Sequence, residues 1–335
     1  MMKKILCVDD EPNNLQVLRQ ILKEHYQLIF APNGTRALDA AAKHMPDMVL
    51  LDIMMPDISG YEVCEKLKAD PRTKDITIIF VTAMSEVKDE AYGFDVGAVD
   101  YIQKPVSGAV VLRRVQTHLN LVRVQELEKS QRDAIFMLGE AGHYNDNDTG
   151  VHIWRMSAFA RALAERAGWP AYMAERLELA SAMHDTGKIG IPDSILKAPR
   201  KLTSEEWKVM QTHTEIGHRI LSMSNSPIFT MAAGISLNHH EKWDGSGYPN
   251  GISGEDIPES ARIVAIADVF DALTMKRPYK KAWSFEEARD EILKGAGGHF
   301  DPTLIELFES ISSQFYEIKN KWDKTESLIS EGKIN

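Results

Sequence analysis

The chain has 335 residues, about twice the length of a typical domain, so two folding units are expected. Hydrophobic residues make up 44% and charged residues 26%, with 21 Gly and 14 Pro, which excludes collagen-like, low-complexity and globally disordered chains. With 39 basic against 49 acidic residues and a formal charge of -10, the chain has the wrong sign for broad binding to a nucleic-acid backbone, and no DNA partner is expected.

Up to about residue 122, short apolar runs alternate with amphipathic stretches. Ile5-Leu6-Cys7-Val8, Met48-Val49-Leu50-Leu51 and Ile76-Thr77-Ile78-Ile79-Phe80-Val81 read as buried strands, each followed by polar residues and then helical spacing. That order is a βα repeat around a parallel sheet, whose ligands gather beyond the carboxyl ends of the strands. Those ends carry Asp9, Asp10, Asp52, Thr82 and Lys104. The cysteines, Cys7 and Cys64, lie in or beside apolar runs without CxxC spacing. Neither a disulfide scaffold nor a Cys-ligated zinc is expected, and a reducing cytoplasm fits.

From about Val106 to Glu140 the pattern turns helical, with Leu112, Val115, Leu119 and Val122 three and four apart before Glu126 and Lys129 interrupt the series. This stripe suits either the chain's own sheet or a second copy in a homodimer. We expect one domain over 1–122, a connecting helix over 123–142 and a second, all-α domain over 143–335. Breaks fall at Gly168-Trp169-Pro170, at Lys197 to Lys201 and at Asp244 to Gly254. The first 122 residues hold 14 basic and 17 acidic groups and the remainder 25 and 32, so neither domain is basic. No segment offers the roughly 18 uncharged residues of a membrane span.

Three carboxylates at one sheet edge repel one another unless a cation sits among them, and magnesium suits an all-oxygen site. A lysine and a hydroxyl beside a cation-bound carboxylate make a site for a phosphoryl group, with Asp52 as the acceptor. The segments Val8-Asp9-Asp10-Glu11-Pro12, Leu51-Asp52-Ile53-Met54-Met55-Pro56, Val81-Thr82-Ala83 and Gln103-Lys104-Pro105 resemble the receiver domain of two-component response regulators over residues 3 to about 122. The resemblance implies a doubly wound, flavodoxin-like five-stranded parallel sheet and a sensor histidine kinase as phosphodonor. It implies that Asp9 and Asp10 hold magnesium, that Asp52 is phosphorylated, that Thr82 and Lys104 contact the phosphoryl group and that Tyr101 is a switching aromatic.

Eight of the chain's 11 histidines lie between residues 143 and 299. His152, His184-Asp185, His213, His239-His240 and Asp268 come from separate apolar helical runs and can converge inside a bundle. Asp268, flanked by Ile266, Ala267, Val269 and Phe270, reads as a buried carboxylate, costly unless paired or metal-bound. Five histidines and two aspartates without cysteine make a mixed nitrogen–oxygen set suited to a pair of Fe or Mn ions, or to Zn, rather than to structural zinc. Asp185 is the natural bridge. Two such ions about 3.5–4 Å apart are the recurring arrangement in phosphodiester hydrolysis. Lys188, Arg277 and Lys280 are then placed to receive phosphate.

His184-Asp185-Thr186-Gly187-Lys188 and His239-His240-Glu241-Lys242-Trp243-Asp244-Gly245-Ser246-Gly247-Tyr248-Pro249 resemble the HD-GYP domain over about 130 to 320. Its further matches are Thr149-Gly150-Val151-His152, Ile189-Gly190-Ile191-Pro192, Arg277-Pro278-Tyr279-Lys280 and Phe300-Asp301-Pro302. The resemblance implies an HD-superfamily helical domain acting as a cyclic di-GMP phosphodiesterase. His152, His184, Asp185, His213, His239, His240 and Asp268 would be the ligands, with nickel a further candidate ion. Lys188 would assist hydrolysis, and Asp244, Gly245, Gly247 and Tyr248 would shape the substrate loop. Three-metal members carry a glutamate four residues before the first histidine. Asp148 stands there instead, one methylene shorter but still facing His152 at i, i+4. The rival readings are a signalling module that binds the dinucleotide or a protein without hydrolysing it, and a nucleotide phosphohydrolase of the wider His-Asp superfamily.

Overall fold

The computed structural model describes residues 2–83, 87–143, 150–275 and 282–330. It divides into two units, Met1–Lys129 and Ser130–Asn335.

The first unit is a five-stranded parallel sheet, β1 (Lys4–Val8), β2 (Gln27–Ala31), β3 (Met48–Leu51), β4 (Thr77–Thr82) and β5 (Asp100–Gln103), in the order β2-β1-β3-β4-β5. Helices α1 (Pro12–Leu22), α2 (Gly34–His44), α3 (Gly60–Ala69) and α4 (Val87–Asp95) alternate with the strands. Strands β3 and β4 are buried throughout, which is why they read as unbroken apolar runs. The register pairs Val8 with Leu51 and Leu51 with Phe80, so Asp9 and Asp52, one residue beyond their strands, emerge on the same edge. Strand β2 lies at the sheet's margin and is mostly half-exposed. It therefore lacks the apolar run that marks its neighbours.

Helix α5 (Gly108–His143) is a single 36-residue helix. Val111, Val115 and Leu119 pack with Ile5, Cys7, Leu50, Ile79 and Val81 on one face of the sheet, with Leu112 at the edge of that cluster. The chain's own sheet thus takes Val115 and Leu119 of the expected stripe, Val111 joins them, and Leu112 and Val122 are only half-buried. Leu121, Val124 and Leu127 are left exposed on the same helix.

The second unit is helical: α6 (Gly150–Arg166), α7 (Ala171–Ser181), a 3-10 turn Thr186–Gly190, α8 (Asp193–Leu196), α9 (Ser204–Gln211), α10 (His213–Leu221) and α11 (Pro227–Asn238). There follow α12 (Glu259–Thr274), α13 (Phe285–Lys294), α14 (Pro302–Ser310) and α15 (Ser312–Ser330). The expected breaks at 168–170, 197–201 and 244–254 all fall between these helices. Phe159, Phe270, Phe308 and Phe315 are fully buried at its centre. The Phe159 and Phe315 rings stack at 4.6 Å, which seats α15 on α6. Thr203 and Glu206 form a reciprocal capping box at the start of α9 and fix the segment that leads to His213. Among the described residues no helix is long and apolar enough to cross a membrane.

Candidate functional site

At the sheet edge, oxygens of Asp9, Asp10 and Asp52 lie within 4.8 Å of one another, with Asp9 and Asp52 buried and Asp10 exposed. Lys104 Nζ lies 2.8 Å from Asp9 Oδ2 and 2.7 Å from Asp52 Oδ2. Burial pushes the Asp52 carboxyl up, and the Lys104 ammonium only partly offsets it. Burial works against the Lys104 charge as well, but Asp52 and Asp9 outweigh it and raise its pKa. Thr82 is buried at the end of β4, and its carbonyl accepts from the Lys104 amide at 2.9 Å. Tyr101 is also buried, its ring 5.2 Å from Phe80 and 5.7 Å from Phe94.

The second unit holds a denser cluster. Ligating atoms of Asp185, His213, His239 and His240 all lie within 4.8 Å of one another. Asp185 is the hub: His213 Nε2 stands 3.3 Å and His239 Nε2 3.7 Å from its Oδ1, while His184 Nε2 stands 3.2 Å and Lys188 Nζ 2.9 Å from its Oδ2. Asp268 approaches His184 Nε2 at 3.9 Å. Five of these side chains sit at helix ends, His184 and Asp185 after α7, His213 opening α10, and His239 and His240 after α11, whereas Asp268 lies within α12.

Backbone carbonyls orient the rings. His184 Nδ1 donates to Ser181 O at 2.9 Å and His213 Nδ1 to Met210 O at 2.7 Å, and His239 Nδ1 faces Ile235 O and Ser236 O at 3.1 Å. A carbonyl only accepts, so each Nδ1 is the donor, which in a neutral ring leaves Nε2 as the ligating nitrogen. His213 Nε2 and His239 Nε2 are buried and make no hydrogen bond among the described residues. Burial pushes His184 and His240 down and His213 down to about 4, favouring the neutral, ligating form. Oriented imidazoles around a carboxylate, with buried nitrogens left for a cation, fit a divalent metal.

His152 belongs to α6, and its Nδ1 bonds Asp271 rather than a carbonyl. Asp271 is absent from the sequence-based set, and its burial corrects an expectation. Asp268, read as the buried carboxylate, keeps a fifth of its side chain exposed, whereas Asp271 is wholly buried. Burial follows the phase of α12, and the apolar neighbours of Asp268 point elsewhere. Burial opposes the Asp271 charge, but His152 and Arg155 outweigh it and hold the carboxyl below its ordinary value.

The loop after His240 folds over the cluster. Tyr248 stacks on His240 at 4.8 Å, and burial pushes its phenol up. Asp244 is exposed, its Oδ1 accepting from the Ser246 amide at 2.8 Å. Gly245 has φ of 80°, and a methyl on Gly247 would stand 2.4 Å from Lys242 N. Glu241, also missed, is buried and accepts from the Asn250 and Gly251 amides at 2.7 and 3.1 Å. Its position beside His240 was visible, but nothing in the sequence distinguishes a loop clamp from a surface glutamate. Gly187 serves close approach, since a methyl there would stand 1.8 Å from His213 O. Asp148, Arg277 and Lys280 lie outside the described residues.

A model of the HD domain matches residues 119–304, and one of the response regulator receiver domain matches residues 5–116. The chain is 39% identical to a protein of Vibrio cholerae named a probable cyclic di-GMP phosphodiesterase, over 97% of the chain and 81% of the relative. It is 35% identical to a cyclic di-GMP phosphodiesterase of Thermotoga maritima, over 94% of the chain and 92% of the relative. It is likewise 35% identical to the cyclic di-GMP phosphodiesterase response regulator RpfG of Xanthomonas campestris, over 94% and 89%. The chain belongs to the family of response regulators that carry an HD domain behind the receiver. Its second unit is a metal-dependent phosphodiesterase domain.

Proposed function

We propose that the chain hydrolyses cyclic di-GMP at a two-ion centre held by His152, His184, Asp185, His213, His239, His240 and Asp268, under the control of phosphorylation at Asp52. What carries the reading is the gathering of Asp185, His213, His239 and His240 within 4.8 Å, with the Nε2 atoms of His213 and His239 buried and unbonded. The four gathered donors, Asp185 included, favour hydrolysis over the rival of a binding-only module.

Iron or manganese suits this histidine–carboxylate set, with zinc or nickel next. Divalent cations bound there would supply Lewis-acid polarisation of a phosphoryl oxygen and lower the pKa of a water. Asp185 joins the donors into one centre. Lys188, at 2.9 Å from Asp185, brings an ammonium to the charge that develops on the phosphate. Tyr248 holds the His240 ring by stacking, while Asp244, Gly245 and Gly247 shape the loop that meets the dinucleotide. Arg277 and Lys280 are the further phosphate contacts the family pattern suggests, and Asp148 the donor for a third ion.

In the receiver, Asp9, Asp10 and Asp52 would hold magnesium, a sensor histidine kinase would supply the phosphoryl group, and Lys104 and Thr82 would receive it. Helix α5 supports control of the second unit. Its first half packs in the receiver core through Val111, Val115 and Leu119, and its last turns bring Gly139 and Gly142 against the backbone of Ala182, Asp185 and Thr186. A homodimer would use the exposed Leu121, Val124 and Leu127. Free, buried Cys7 and Cys64 suit the cytoplasm.

Turnover and sedimentation with and without beryllofluoride, with products separated into linear dinucleotide and mononucleotide, test the reading. Hydrolysis that responds to beryllofluoride in wild type but not in Asp52→Ala is expected. Hydrolysis that ignores it in both would detach the receiver from the metal site.

A further inference from the structure

Four candidate ligands have a visible partner behind Nδ1, and His152 differs from the rest. His184, His213 and His239 face carbonyls of their own preceding turn, whereas His152 reaches across to a carboxylate on another helix, Asp271. His152 and Arg155 both meet Asp271 there. His152 and Arg155 are three apart on α6, Asp268 and Asp271 three apart on α12, so each pair shares one helix face. Arg155 grips Asp271 through Nε and, at 3.0 Å, through Nη2, the two-pronged geometry that fixes a carboxylate in orientation as well as charge.

The chain of contacts continues outward. Arg155 Nη1 lies 3.4 Å from Asp323 and 3.9 Å from Glu326, both on α15 and both about two-fifths exposed. Next to them Trp322 stacks with Trp154 of α6 at 6.2 Å. Helix α15 lies beyond residue 304, where the match to the HD domain ends.

We propose that Asp271 is a positioning residue that sets the tautomer and angle of His152 for metal, held by Arg155, which the last helix holds in turn. The inference rests on the metal-centre reading. A carboxylate behind a ligating histidine keeps the proton on Nδ1 and raises the basicity of Nε2, and losing such a partner typically costs about ten- to a hundredfold in metal affinity.

The test is a double-mutant cycle on the full chain, titrating Mn2+ alone into chelator-stripped protein. Asp271→Asn should weaken Mn2+ binding about ten- to a hundredfold, and the same change in a His152→Ala background should add little. A purely structural salt bridge would cost the same in both backgrounds, and that result, or wild-type affinity in Asp271→Asn, would overturn the proposal. Should Asp271→Asn fail to fold, Asp323→Asn with Glu326→Gln leaves the core untouched. It should weaken Mn2+ binding about two- to fivefold, the scale of a half-exposed ion pair, and unchanged affinity would overturn the outer link. Wild-type protein that binds no Mn2+ would overturn the metal-centre reading itself, a result distinguishable from failure of the relay alone.

Discussion

Gly142 of α5 lies against the backbone of Thr186, so close that a methyl group on it would stand 2.9 Å from the Thr186 Cα and 3.3 Å from the Asp185 carbonyl oxygen. The helix that leaves the receiver core therefore ends on the turn that carries His184 and Asp185. A shift of its last turns is expected to reach the backbone of Asp185 and Thr186, because packed interiors transmit displacement rather than absorb it.

Substituting Gly142→Ala should open that contact. We expect a stability loss of about 1–3 kcal/mol, the usual cost of overpacking, and a smaller difference in turnover between beryllofluoride-treated and untreated protein. Thermal melts and paired turnover measurements check this. An undiminished response would remove the contact from the signalling route.

Asp185 faces His184, His213, His239 and Lys188 at 2.9 to 3.7 Å, so its loss dismantles the centre rather than trimming it. Asp185→Ala should lower turnover by more than about a hundredfold, the upper end of what even an outer supporting residue costs. His184→Ala should do the same. Circular dichroism should change little, since several helices build the site. Near-normal turnover with metal bound in Asp185→Ala would refute its bridging role.

Lys188 separates from the ligands by its chemistry, since an ammonium serves phosphate and cannot serve a cation. Lys188→Met should keep its metal while turnover falls about ten- to a hundredfold, a charged hydrogen bond being worth about 1.5–3 kcal/mol. Metal analysis beside turnover reads both. Lost metal at unchanged turnover per bound ion would contradict the assignment.

Chelator-stripped protein should lose stability on mild acidification. An unfolded histidine binds its proton near 6.5, whereas buried His213 does so only near about 4, with His184 and His240 shifted the same way. Between those values the unfolded chain binds more protons, so stability rises with pH. It is fully present above about 6.5 and lost as pH falls towards the folded value. Melting temperatures between pH 7.5 and pH 5 should fall, and less steeply in His213→Gln. A flat profile in wild type would contradict the burial argument.

Much of this architecture was legible because its signals are local. The doubly buried strands β3 and β4 declare themselves as apolar runs, and Asp52 and Lys104 follow strand ends directly. The candidate ligands His184-Asp185 and His239-His240 close apolar helical runs, which placed them at helix ends as observed. What stayed hidden depends on phase and on partners distant in sequence. Asp268 and Asp271 sit in similar apolar company, and only the packing of α12 against α6 decides which is buried. The need for glycine at 187 comes from His213 on another helix, and strand β2, at the margin, carries too mixed a pattern to stand out.

The most direct test of the central claim is the rate of cyclic di-GMP hydrolysis by the full chain before chelation, after chelation, and after Fe2+ or Mn2+ is restored. Hydrolysis that disappears with the metal and returns with it, and that stays absent in Asp185→Ala throughout, is the expected result. Hydrolysis that persists in stripped protein, or none at all in metal-loaded wild type, would contradict it.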